Sequence, residues 1–306
     1  MSALAALLSV DWGTTSLRVY LLTADGGVLD EREAPLGIMN IAGGAFAAAL
    51  HDACRPWLER HGPLPALLSG MIGSRQGWIE APYLPCPVAL DELGRHLTPI
   101  TVPDFGPIRV APGVTARDRD GVPDVMRGEE CQIVGALALM AIDGGTFLLP
   151  GTHSKTVTVA QGRIIGFHTC MTGELFAALR THTILGRLMG AASGDGSGFA
   201  RGVDAARGLQ GAGQLLHAIF AARTLRLFDE LAEDEAADYL SGLLIGAELG
   251  GIAAGDGELI LIGSADLADR YRRAARRLGI ATRDAPAACV RAGHLALATQ
   301  AGLVRR

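Results

Sequence analysis

The chain has no paired-cysteine motif. Its five cysteines, Cys54, Cys86, Cys131, Cys170 and Cys289, include no CxxC and form no regular framework. An odd number of thiols in 306 residues fits a reduced, cytoplasmic protein better than a disulfide-stapled secreted one. The eight histidines are scattered, without HxxxH or HExxH, which gives a transition-metal centre little support. Surplus positive charge is lacking too. A formal charge of −5 argues against a nucleic-acid surface, which needs a basic stripe. The one basic run, Arg270, Arg272, Arg273, Arg276 and Arg277, has helical spacing with interleaved alanines and reads as a solvated helix face. No run is long enough to span a membrane: Cys131 to Ile142 is apolar for about 12 residues and is broken by Asp143-Gly144-Gly145. The apolar N-terminus, Ala3 to Val10, lacks a basic leader and runs into an aspartate turn, which makes it a first strand rather than a signal peptide. These absences describe a soluble, cytoplasmic protein without nucleic-acid or membrane partners.

What is present is a well-packed globular composition, 49% hydrophobic, with 41 glycines that imply many tight turns. At 306 residues the chain exceeds the size at which one hydrophobic core keeps growing, so two domains are expected. The most informative segment is Leu7 to Arg18. It reads as a buried strand, a carboxylate (Asp11), a tight Gly13-Thr14-Thr15 turn and a second apolar strand. Such a turn places backbone N–H groups and two hydroxyls beside an acid, which suits a metal-bound polyphosphate. The aspartate suits Mg²⁺, which keeps several waters and takes one or two protein carboxylates.

Strands are expected at 6–11, 17–23 and 27–33, then a helix over 44–60 and a short strand at 66–69. That strand runs into a Gly- and Pro-rich loop, Gly70 to Pro87, whose Trp78 and Tyr83 favour order. After a strand at 108–111 and a turn at 121–124, Met126-Arg127-Gly128-Glu129-Glu130 opens a helix that is apolar nearly all round and therefore buried. The opening pattern then recurs about 140 residues on. Thr146–Pro150 is a strand, Gly151 to Lys155 a Gly-Thr turn, and strands follow at 156–160 and 163–169. Internal duplication of this kind dominates the fold assignment. The remainder reads as helices (173–190, 203–231, 235–254, 265–278, 287–303) with strands at 258–263 and 280–284, and Gly190 to Gly202 as a flexible connection.

Two Gly-Thr hairpins in two like halves resemble the phosphate hairpins of the actin, sugar-kinase and heat-shock-chaperone superfamily. Leu259 to Leu267 is similar to its adenosine motif, with Gly263 and Ser264 at the turn. Within the superfamily, four blocks resemble the 2-dehydro-3-deoxygalactonokinases: Gly70 to Tyr83, Val125 to Glu130, Leu149 to Lys155 and Met171 to Phe176. The resemblance implies an α/β fold of two ribonuclease-H-like, actin-like ATPase domains with duplicated mixed sheets flanking a cleft. It divides the chain into residues 1–142, carrying a sugar-acid loop at 70–87, and 143–306, carrying the adenosine region. It implies ATP-dependent phosphorylation of the 6-hydroxyl of 2-dehydro-3-deoxy-D-galactonate in galactonate catabolism, with ATP and Mg²⁺ as cofactors. Several superfamily kinases place an aspartate in the second hairpin. Pro150 stands there in this chain, so metal binding must lean on Asp11.

Such a kinase needs a triphosphate clamp, a base near the acceptor hydroxyl and a site for a sugar acid. Gly13, Thr14 and Thr15 form one half of the clamp, and Gly151, Thr152 and Ser154 the other. Arg18 or Lys155 would neutralise charge on the transferred phosphoryl group. Glu129 and Glu130 are candidate bases, alongside Asp11. Adjacent helix residues point about 100° apart, so only one glutamate faces the reacting atoms. The resemblance to carbohydrate kinases, whose catalytic aspartate follows a glycine at a similar helix start, implies Glu129, with Glu130 left open. Arg75, flanked by Ser74 and Gln76, is the candidate for the substrate carboxylate, since a guanidinium fork binds both oxygens. Trp12 and Trp78 are candidate pocket walls. Thr172 and Glu174 read as a helix cap or as site residues. The rival readings are a kinase for another sugar or sugar acid, including the gluconate epimer, and a chaperone-type ATPase on the same fold. A homodimer is left open.

Overall fold

The structure is a computed structural model that describes residues 4–190, 196–252 and 257–304. It opens with an antiparallel meander of β1 (Ala5–Trp12), β2 (Leu17–Thr23) and β3 (Val28–Ala34). β1 is central and carries the fully buried run Leu7 to Val10. β3 is the edge, almost wholly exposed, and its Asp-Glu-Arg-Glu run keeps that edge unattractive to other strands. α1 (Phe46–His61) follows, then β4 (Ala66–Ser69), which pairs parallel with β1 and puts Ser69 opposite Asp11. Next come β5 (Tyr83–Pro85), β6 (Val88–Ala89), α2 (Leu90–Arg95), β7 (Thr98–Ile100) and β8 (Ile108–Val110). β9 (Gly113–Arg117) and β10 (Pro123–Met126) join β5 in a small separate sheet. α3 (Glu129–Met140) then begins.

The meander recurs as β11 (Gly145–Leu149), β12 (Ser154–Ala160) and β13 (Arg163–Cys170). Four helices follow: α4 (Thr172–His182), α5 (Ser197–Arg207), α6 (Ala212–Leu227) and α7 (Ala236–Gly251). β14 (Leu259–Leu261), α8 (Ala265–Leu278), β15 (Thr282–Asp284) and α9 (Cys289–Gln300) complete the described chain. The large sheets have orders β3-β2-β1-β4-β8-β7 and β15-β14-β11-β12-β13-β6. In each, a three-stranded meander continues into two parallel strands through its first strand. This duplicated mixed sheet is the actin-like ATPase fold.

The chain divides into two compact units, residues 1–144 with 158–167 and 285–306, and residues 145–157 with 168–284. The first unit therefore reaches beyond the 142/143 division read from the sequence. The reason lies in a glycine crossing of α3 with α9. A Cβ on Gly135 would fall 1.8 Å from the Cys289 carbonyl oxygen, and one on Gly293 1.9 Å from that of Cys131. Only glycine at both points lets the backbones approach this closely, and the C-terminal helix is thereby packed into the first unit.

The second unit contains a similar crossing and a correction to the sequence reading. Gly190 to Gly202 was expected to be a flexible connection. Residues 191–195 lie outside the described residues, but Ser197 onward is helix α5. Its Gly202 packs on Tyr239, and Gly242 of α7 packs on Phe199. These glycines are contact points rather than hinges. The long helix expected over 203–231 is divided between α5 and α6. The basic run on α8 is less solvated than expected: Arg270 pairs with Asp238, Arg272 with Asp269 and Asp284, and Arg277 with Asp204. Among the described residues no helix is long and apolar enough to cross a membrane.

Candidate active site

In the first unit the β1–β2 hairpin is closed by Gly13 N–H donating to the Ser16 carbonyl at 3.0 Å. Segment 38–39 holds it from outside, with Ile38 N–H donating to Gly13 O at 3.0 Å and Met39 N–H to Thr14 O at 3.2 Å. Thr14 and Thr15 are exposed at the tip. Asp11 is largely buried at the end of β1, and that burial raises its pKa; Arg18 opposes the shift and Glu33 adds to it. Arg18 Nη1 lies 3.8 Å from the Asp11 carboxylate while its Nε donates to Glu33 at 3.0 Å. The cation is thus shared between two acids on neighbouring strands.

Two glycines bring the other elements to this corner. Gly70, at φ 90°, follows β4, and a Cβ on it would sit 2.8 Å from the Trp12 carbonyl oxygen and 3.5 Å from Asp11 Oδ1. Gly128, at φ 110°, precedes α3 and packs against Gly70. Backbone this close excludes side chains, and both φ values favour glycine. Asp11, the start of the 70–87 loop and the first turn of α3 are thereby gathered together.

At that turn the two glutamates differ. Glu130 is fully buried. Its carboxyl accepts the Gly128 N–H at 2.7 and 2.9 Å, and burial, helped by the charge of Glu129, pushes its pKa up to about 8. Glu129 is half-buried and accepts the Arg127 backbone N–H at 3.0 Å. Behind them, His294 of α9 joins Ser9 Oγ at 2.7 Å to Ser69 Oγ at 2.8 Å. It is fully buried, and desolvation lowers its pKa to about 3, which keeps the ring neutral.

The 70–87 loop is ordered by its own backbone. Trp78 N–H donates to Ile72 O and Ala81 N–H to Gly73 O, both at 2.9 Å. Ser74 Oγ donates to Met71 O at 2.7 Å, so it shapes the loop. Arg75 is 85% exposed and pairs with Glu80 at 3.4 Å, and Gln76 is exposed beside it. Trp12 requires correction as a pocket wall. Its side chain is fully buried, its Nε1 donates to Leu36 O at 2.6 Å, and it meets Phe46 and Trp78 edge-on in the core. The sequence places Arg127 in a turn, Arg127 to Glu130, suited to a small acidic ligand, without giving it a role of its own. Its guanidinium is buried, stacks over Tyr83 at 4.1 Å, and donates to Ala81 O at 2.8 Å.

In the second unit the 151–155 hairpin meets the start of α4. Glu174 N–H donates to Thr152 O at 3.0 Å, and His153 bonds the Glu174 carboxylate at 2.5 Å. Thr152 is exposed, whereas Ser154 and Lys155 are buried, and Lys155 Nζ donates to Thr169 at 3.0 Å. Gly263 lies against Pro150, and Ser264 stands at the N-cap position of α8 without a side-chain capping bond, both residues being exposed, so the adenosine-like turn adjoins this hairpin. A cavity of about 250 Å³ opens beside them, lined by Gly151, Thr172, Phe176, Leu244, Leu267 and Tyr271, with the Asp238–Arg270 pair and Ser241 as its polar wall. Glu248 of α7, another residue the sequence did not single out, is buried under this region. Its carboxylate accepts from Ser154 and Thr172 at 2.5 Å and from Tyr271 at 2.6 Å. Among the described residues no group of three or more acid, histidine or cysteine side chains is placed to hold a metal.

These features accord with what the chain resembles. The family model for 2-keto-3-deoxy-galactonokinase matches residues 11–297. A probable 2-dehydro-3-deoxygalactonokinase of Rhizobium meliloti (strain 1021) is 39% identical over 296 residues, covering 95% of each chain. The 2-dehydro-3-deoxygalactonokinase of Escherichia coli (strain K12) is 33% identical over 278 residues, covering 90% of this chain and 91% of its own. A crystal structure of a Sinorhizobium meliloti protein assigned the same activity superposes with a TM-score of 0.86 at 38% identity, over 95% of this chain and 98% of that one. The chain belongs to the 2-keto-3-deoxy-galactonokinase family of ATP-using phosphotransferases.

Proposed function

We propose that this protein transfers the γ-phosphoryl group of ATP to the 6-hydroxyl of 2-dehydro-3-deoxy-D-galactonate, a step of galactonate catabolism. The observation that carries the reading is the convergence of Asp11, the Gly70 loop and the Glu129 turn at one corner through the Gly70–Gly128 contact. In the first unit, Gly13, Thr14 and Thr15 offer backbone N–H groups and hydroxyls to phosphate oxygens. In the second, Gly151 and Thr152 do the same, and the neighbouring cavity with Gly263 and Ser264 at its hairpin takes the nucleoside. The buried Ser154 acts from beneath, since its hydroxyl is committed to Glu248. Arg18 is exposed beside the hairpin acid, whereas Lys155 is buried, so the first hairpin supplies the neutralising cation. Arg75 and Gln76 present exposed donors to the acceptor.

The site's chemistry fits one Mg²⁺. A single largely buried carboxylate beside exposed hydroxyls suits an ion that keeps most of its waters. Asp11 is the residue that would hold it, and when bound it supplies neutralisation of polyphosphate charge. Glu129 accepts the proton of the 6-hydroxyl as that oxygen bonds to the γ-phosphorus and the bond to the ADP oxygen breaks. Glu130 keeps its own proton near neutral pH and is enclosed, so it is the weaker candidate.

The test offers purified protein ATP and Mg²⁺ with 2-dehydro-3-deoxy-D-galactonate, its gluconate epimer or plain hexoses, and follows ADP release. Turnover is expected with the galactonate acid. Failure with both keto-deoxy acids would overturn the reading, and equal ATP hydrolysis without acceptor would favour a chaperone-type ATPase.

A further inference from the structure

Two cations flank the acceptor loop, and they differ in how their charge is answered. Arg75 is exposed and already paired with Glu80. Arg127 is 92% buried by its 8% exposure and has a different set of partners. Nη2 donates to Ala81 O, Nε reaches the Tyr83 hydroxyl at 3.3 Å, and the guanidinium plane lies on the Tyr83 ring. None of these partners is an anion. Nη1 has no acceptor at all and points against Gly73, where a Cβ would sit 3.0 Å from it. Glu129 uses its carboxylate on the Arg127 backbone N–H. Glu130 feels the Arg127 charge, which opposes the burial-driven rise of its pKa, but its carboxyl is bonded to the Gly128 N–H and not to the guanidinium.

A buried guanidinium with a vacant donor and, among the described residues, no carboxylate in a direct ion pair with it is costly, and its field extends further in a low-dielectric setting than a solvated one. Unpaired buried donors of this sort call for an explanation in terms of what they meet during function. The surroundings narrow the answer. The group is embedded in the 70–87 loop and is joined by one peptide bond to Gly128, the residue that packs on Gly70. We propose that Arg127 is the specificity-determining cation for the acceptor's carboxylate, the feature that fits this site to a sugar acid rather than a neutral sugar. Arg75, screened by water and Glu80, is left to bind hydroxyls. This assignment rests on the sugar-acid kinase reading.

The experiment is a cycle between residue and ligand charge. Wild-type protein, Arg127→Met, Arg127→Lys and Arg75→Met are each given 2-dehydro-3-deoxy-D-galactonate and its uncharged C1 amide. The readout is kcat/KM, or the amide's inhibition constant against the acid where its turnover is slow. Arg127→Met is expected to weaken the acid by about ten- to a hundredfold, as for loss of a charged hydrogen-bonding group, and the amide by less than about threefold. Arg127→Lys should regain part of the acid preference, and Arg75→Met should affect both ligands alike. Equal loss for acid and amide in Arg127→Met would overturn the proposal and leave a purely structural role. Should that variant not fold, Arg127→Lys decides: an acid-to-amide ratio changed more than about threefold supports the assignment, and an unchanged ratio overturns it. Wild-type transfer to the acid is measured first. Its absence removes the kinase reading itself, whereas transfer without a selective loss removes only this inference.

Discussion

The two hairpins are the same device built twice and finished differently. Each is a meander turn with a glycine and exposed threonine at its tip, in a sheet of the same order. The first carries Asp11 and a cation, Arg18, shared with Glu33. The second carries Pro150 where an acid would stand; beneath its turn Ser154 donates to Glu248 and Lys155 to Thr169, and at its surface His153 bonds the Glu174 carboxylate. Two turns of one shape thus differ in what they carry, an acid at the end of the preceding strand in the first and a proline in the second. The supporting hubs mirror this. The first unit has a buried cation, Arg127, with one vacant donor, and the second a buried carboxylate, Glu248, that accepts from three hydroxyls.

The sharpest way to break the comparison is to remove the acid or to restore its counterpart. Asp11→Asn is expected to lower kcat by about a hundredfold or more, because it deletes a charge acting on the transferring group. Pro150→Asp should change kcat by less than about tenfold. Steady-state assays across a Mg²⁺ series would show both, and the reverse ranking would mean that the second hairpin holds the metal. Next in size comes the helix-start pair. Glu129→Gln should cost about 10² to 10⁴ in kcat, as for loss of a general base, while Glu130→Gln should stay within about threefold because that carboxyl is already protonated near neutrality.

Glu248→Gln tests the hub of the second unit. It cannot accept equally from three hydroxyls, and a lost charge-assisted bond is worth about 1.5–3 kcal/mol. A raised KM for ATP with a lesser change in kcat is expected, together with a lower Tm. An unchanged KM would separate Glu248 from nucleotide binding. The smallest effect concerns pH and stability in the first unit. Glu130 holds its proton to about 8 when folded against 4.5 ordinarily, so stability falls as pH rises between those values. His294 is lowered to about 3 from 6.5, so stability falls as pH drops through that range. Between 4.5 and 6.5 the two slopes oppose each other. Relative to the wild type, Glu130→Gln should gain Tm steadily from pH 5 to 8, and calorimetry would register a flat difference if the carboxyl were ionised.

Local features were legible in the sequence because their cause is local. The hairpins, the buried helix α3 and the strand-to-helix turn at Gly263 follow from periodicity and turn residues within a dozen positions. What was not legible depends on partners far along the chain. Arg127 meets Ala81 and Tyr83 over 44 to 46 residues, and Glu248 meets Ser154 across 94. Nothing near either residue announces those contacts. Gly202 read as slack because its reason for being glycine is the Tyr239 carbonyl of another helix. Trp12 read as a pocket wall because it sits next to Asp11, but alternation along β1 turns neighbouring side chains to opposite faces and sends Trp12 into the core.

The most direct test of the kinase account is the ³¹P spectrum of the product formed from ATP and 2-dehydro-3-deoxy-D-galactonate. Transfer to the 6-hydroxyl predicts a new monoester phosphorus coupled to two methylene protons, formed by the wild type and lost in Asp11→Asn. A phosphorus coupled to a single methine proton, or ADP and inorganic phosphate with no ester, would contradict it.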